Sequence, residues 1–75
     1  MPRYFFHIVD GKFLVDTDGI ELPDMPAVRV EAIAAAGEIL KDFATRWTGA
    51  EWQMHVTNEA EDTVLKLTFS AKQYP

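Results

Sequence analysis

The sequence predicts an α+β domain of ββαββ order, a four-stranded antiparallel sheet (strand order 2-1-3-4) with one long helix packed on one face. Three observations carry this prediction. Apolar residues recur at helical spacing through the middle of the chain; a run of aromatic and β-branched residues precedes them; an alternating segment and a second apolar run follow. Strands are expected at about 3–9, 12–16, 51–58 and 63–70 and the helix at about 25–47, in a single domain covering 1–75.

The first strand rests on Tyr4 to Val9, whose composition suits a strand buried on both faces. Asp10-Gly11 follows, a dipeptide favoured in two-residue hairpin turns. That turn would set Val9 opposite Lys12, Ile8 opposite Phe13, His7 opposite Leu14 and Phe6 opposite Val15. Phe6, Ile8, Phe13 and Val15 would then share the helix-facing side with Tyr4. Thr17 to Pro23 reads as a turn-rich link into the helix.

The helix is expected to start at Asp24, whose carboxylate can accept from first-turn amides, with Pro26 placed where a missing N–H costs little. Met25, Val28, Ala32, Ala36, Ile39, Phe43 and Trp47 form the stripe, Ile33 and Leu40 widen it, and Gly49 supplies the stop. Glu31, Glu38, Lys41, Asp42 and Thr45 fall on the wet side. Arg29 lies within the apolar sector, its stem packed and its guanidinium reaching Asp24, Glu21 or solvent. Val30, Ala34 and Gly37 make a smooth strip on the back of the helix.

Beyond the helix, Trp52, Met54 and Val56 alternate with Gln53, His55 and Thr57. Glu59 to Asp62 is an acidic four-residue turn into Val64 to Ser70. Closing that hairpin pairs Val56 with Leu65, Met54 with Leu67 and Trp52 with Phe69, which sorts the apolar residues onto one face. Ala71 to Pro75 reads as a tail.

Seventy-five residues hold one core, and 48% apolar residues suit a globular chain rather than a disordered one. No cysteine is present to staple so small a core, so oligomerisation is an expected source of stability. A net charge of −5, with cations scattered singly, argues against nucleic-acid binding. No leader-like N-terminal pattern or membrane-length apolar run is present, so a cytoplasmic protein with no membrane partner is expected.

The opening Met-Pro-Arg-Tyr-Phe-Phe-His with Asp10-Gly11, then Glu21-Leu22-Pro23-Asp24, Glu31-Ala32, Ala35-Ala36-Gly37-Glu38, Trp52, Val56-Thr57-Asn58-Glu59 and Leu67, Phe69-Ser70-Ala71 carry a resemblance. The chain resembles a family of short alphaproteobacterial single-domain proteins of unknown function. The resemblance implies a stand-alone bacterial domain and supplies no activity, substrate or catalytic residue.

Motifs of chemistry are sparse. Asp16-Thr17-Asp18-Gly19 is a turn: an EF-hand frame would put Leu14 and Met25 where oxygen ligands are required. The lone serine, Ser70, near the tail and the four isolated glycines supply neither a nucleophile elbow nor a phosphate loop. His7 and His55 would supply half of a zinc or nickel site, with Asp16 or Glu51 as further candidates and no His-x-His pattern. Strand histidines facing solvent or an interface are the preferred reading, with no cofactor.

A non-enzymatic protein-interaction or homo-oligomerising module is therefore expected; a metal or small-ligand sensor centred on His7 and His55 is the alternative. The expected contact surface is the sheet face away from the helix: Phe5, His7, Val9, Leu14, His55, Val64 and Lys66. The helix strip and the exposed strand edges are its rivals, and a different protein partner is the rival to a homodimer.

Overall fold

A computed structural model describes residues 1–10, 13–42 and 50–75. Its order is β1 (Arg3–Val9), β2 (Phe13–Leu14), β3 (Ile20–Glu21), α1 (Met25–Asp42), β4 (Trp52–Thr57) and β5 (Thr63–Phe69). The architecture is α+β, with one helix and an open antiparallel sheet of five strands rather than four. The main path runs β2-β1-β4-β5, and β3 pairs with β1 as well.

The extra strand comes out of the segment read as a link. Ile20 pairs with Tyr4, Glu21 with Arg3, and the Leu22 amide continues the contact to the Pro2 carbonyl at 3.0 Å. β2 and β3 thus form one interrupted strand along β1. The pairing shifts by two residues between them, so residues 15–19 on the outer side lie opposite residues 5–7 of β1.

The first hairpin also differs by one residue from its expected register. Leu14 pairs with Ile8 and Phe13 with Val9, so the connection is longer than the two-residue turn expected from Asp10-Gly11. Gly11 and Lys12 lie outside the described residues, as does the expected Val9–Lys12 pair. Side chains alternate along a strand, so this slip exchanges faces. Leu14 joins the side of Ile8, and Phe13 joins the side of Val9.

The second hairpin has the expected register: Trp52 pairs with Phe69, Met54 with Leu67 and Val56 with Leu65. It departs only at its turn end. Thr57 pairs with Thr63, so Val64 is an extra residue in a bulge and packs against the core cluster. Val64 is therefore not on the open face where the sequence put it.

Asp24 caps α1 as expected. Its Oδ1 accepts from the Ala27 amide at 3.0 Å, and its carbonyl from Val28 at 3.1 Å. The helix buries a single line, Val28, Ala32 and Ala36, against Tyr4, Trp52, Met54 and Val56. Ile39 and Leu40 are partly buried, but Ile33, expected to widen the stripe, is 58% exposed. Arg29 is exposed, and the Glu21 carboxylate pairs with Arg3 at 3.2 Å. Phe43, Thr45, Trp47 and Gly49 lie outside the described residues.

Candidate functional site

Opposite the helix, cross-strand pairing fixes which side chains share the open face. Phe5 pairs with Thr57; His7 pairs with His55, which pairs with Lys66; Val9 pairs with Gln53, which pairs with Thr68. Five of the seven expected contact residues thus lie here: Phe5, His7, Val9, His55 and Lys66. Leu14 is on the helix side and Val64 packs on the core.

Phe13 takes the place expected for Leu14. The His7 ring stacks on it, centroids 5.6 Å apart, and on Phe5 at 6.5 Å, giving a three-ring row along the face. Phe13 is 56% exposed. Sequence reasoning missed it because Phe13, Leu14 and Val15 are all apolar: either register puts an apolar residue on each side.

His7 is held at both ring nitrogens. The Asp16 amide donates to Nδ1 at 3.1 Å, so Nε2 carries the proton and donates to Thr57 Oγ1 at 2.9 Å. His55 Nε2 engages Gln53 Oε1 at 2.7 Å. The two histidines meet as cross-strand partners, and a metal bound at His7 would have to displace one of its two ring hydrogen bonds. Among the described residues, no group of three or more histidine, aspartate or glutamate side chains is arranged to hold a metal ion.

Asp16 carries more structure than its turn motif indicated. Oδ2 accepts from the Phe6 amide at 3.1 Å, and Oδ1 from the Asp18 and Gly19 amides at 3.1 and 3.2 Å. The side chain fills the gap between β2 and β3, taking a β1 amide at the break in the edge strand. Burial pushes its pKa up, but the three amide bonds and the nearby His7 outweigh that and leave it below the ordinary 3.8.

A carboxylate whose folded pKa is depressed stabilises the fold above its unfolded value, and the contribution fades as pH falls through the folded value. Asp16→Asn should therefore lose about 1–3 kcal/mol at neutral pH. Urea titrations of both proteins should show this gap constant above pH 5 and closing below about 3.8. A gap that persists undiminished to pH 2 would refute the charged-acceptor role.

Beside the aromatic row is a half-open cleft of ≈ 240 Å³ lined by Phe5, His7, Val15, Asp16, Thr57, Asn58, Glu59 and Glu61. Phe5, His7 and Thr57 come from the sheet face, and the other residues form its walls. The Asn58–Asp62 turn is built by Asn58, whose Oδ1 accepts from the Ala60 and Asp62 amides at 2.9 and 3.0 Å. Glu61 completes the turn with φ 67°. Glu59 Oε1 accepts from the Arg3 amide at 3.1 Å, drawing the turn over the start of β1. The Arg3 guanidinium donates to the Asp18 and Gly19 carbonyls and to Glu21.

No helix among the described residues is long and apolar enough to cross a membrane. No curated protein and no solved structure matches the chain. A family model described as a domain of unknown function, DUF6894, matches residues 3–70, nearly the full length. The chain belongs to that family.

Proposed function

We propose that the protein is a non-enzymatic, bacterial, cytoplasmic interaction module that pairs with a second copy of itself through the sheet face opposite the helix. The observation carrying this reading is the stacked row Phe5, His7 and Phe13 on that face. A solvated antiparallel face ordinarily alternates to polar residues throughout. Here β1 and β2 present aromatic rings and Val9, with Gln53, Thr68, Thr57 and Lys66 beside them. Apolar rings on β1 and β2 with polar side chains beside them on β4 and β5 give a face of mixed character that suits a protein contact.

A homodimer fits the size of the chain. The described core has seven buried residues, three of them on the helix, which leaves a domain this small marginal. Two-fold pairing of one face covers the aromatic row of each copy with the open face of the other. Light scattering across a concentration series tests the proposal. Wild type should dimerise; Phe5→Glu and Phe13→Glu should be folded monomers. Ala34→Glu, on the exposed helix strip, should still dimerise. If Ala34→Glu dissociates while both phenylalanine variants remain dimeric, the helix strip is the interface and the sheet-face reading fails.

A further inference from the structure

Resting on that homodimer, we infer that Lys66 of each copy docks its ammonium group in its partner's cleft, over the Phe5 and His7 rings and between the carboxylates of Asp16, Glu59 and Glu61. The chemistry of the two surfaces is complementary. The cleft combines an aromatic floor with three carboxylates, a setting that attracts a cation by charge and by the ring quadrupole. Lys66 is exposed, and among the described residues its ammonium group makes no hydrogen bond or ion pair within its own chain. Arg3, the other described cation on β1 and β5, is already engaged by Asp18, Gly19 and Glu21.

The register fixes how the two could meet. Lys66 lies in one transverse row with His55 and His7, and the cleft lies over β1 at His7 and Phe5. β4 is midway between β1 and β5. A two-fold axis parallel to the strands and passing over His55 therefore carries β5 of each copy above β1 of the other, with the transverse row conserved. Sheets packed face to face lie about 10 Å apart. The four-carbon stem of a lysine bridges most of that gap and delivers a flexible point charge.

Such an anchor has a physical task here. Strands β1, β4 and β5, six or seven residues long, with the short β2 and β3 along one edge, cover at most roughly 19 by 23 Å at about 4.8 Å per strand, a footprint at the low end for a specific interface. Each chain also carries a net charge of −5, so the copies repel. Two symmetry-related lysine–carboxylate contacts oppose that repulsion and select one orientation of an otherwise slippery aromatic face.

Charge exchange tests the docking. Dimer dissociation constants are measured by sedimentation for wild type, Lys66→Glu, Glu61→Lys and the double variant; both positions are exposed, so the fold should survive. Each single change should weaken the dimer by on the order of tenfold or more, and the double variant should recover most of the loss. If both single variants dimerise as wild type does while Phe13→Glu dissociates, the face is right and the lysine docking is wrong. A wild type that stays monomeric at every concentration overturns the homodimer and the docking together.

Discussion

Gly19→Ala should cost about 2–5 kcal/mol, the larger of two opposite effects expected from adding one methyl group to this chain. Gly19 has a φ of 70°, where an L-residue is strained. A Cβ there would also lie 2.8 Å from the Tyr4 carbonyl oxygen, 2.8 Å from Phe5 Cε1 and 2.9 Å from Arg3 Cγ. The carbonyl belongs to the β1 backbone and cannot swing aside. Relief therefore requires β3 to separate from β1, with loss of the Ile20–Tyr4 and Glu21–Arg3 pairs. Gly37→Ala is the counter-case, because nothing lies within 4 Å of its Cβ position and the residue is inside a helix. It should gain about 1 kcal/mol. Chemical denaturation of both variants measures the contrast, and equal shifts would mean that the Gly19 turn is not held as described.

Met54→Ala should cost about 2–5 kcal/mol. Met54 is 1% exposed, in the centre of β4 between Ile8 and Leu67, and belongs to the cluster formed with Val28, Ala32 and Ala36. Those alanines have no side chain to extend into the space a truncation leaves, so the cavity would stay largely open. A domain of this length has a total stability of roughly 4–11 kcal/mol, so the variant should melt far below wild type and be partly unfolded at 37 °C. Lys66→Ala on the opposite face of the neighbouring strand should leave the thermal midpoint of the monomer nearly unchanged. Similar midpoints for Met54→Ala and wild type would place the core elsewhere.

The sequence made the second hairpin legible and misread the first, for one physical reason. In β4 apolar and polar residues alternate, so only one register buries Trp52, Met54 and Val56 together. Phe13-Leu14-Val15 does not alternate, and hydrophobicity alone cannot choose its face. The assumed Asp-Gly turn made the choice and was one residue short. β3 escaped notice because two residues, Ile20 and Glu21, are too few to establish a period. Asp16 could be read as a turn residue, but its bond to the Phe6 amide spans ten positions and exists only after β1 and β2 have paired. The helix was evident from Asp24 onward. Periodicity did not show that its contact would be confined to Val28, Ala32 and Ala36, with Ile33 left exposed.

The broken outer strand has a consequence for crowded conditions. Fibre growth by strand addition needs two receptive margins on every unit, one to accept and one to offer. β5 presents seven consecutive residues along one margin. On the other, β2 and β3 present only two residues each, separated by the loop that Asp16 ties down. A molecule with one usable margin can join a single neighbour there and then stops. Polymer length is thus limited by geometry, and loosening the Asp16 loop would restore the second growing end.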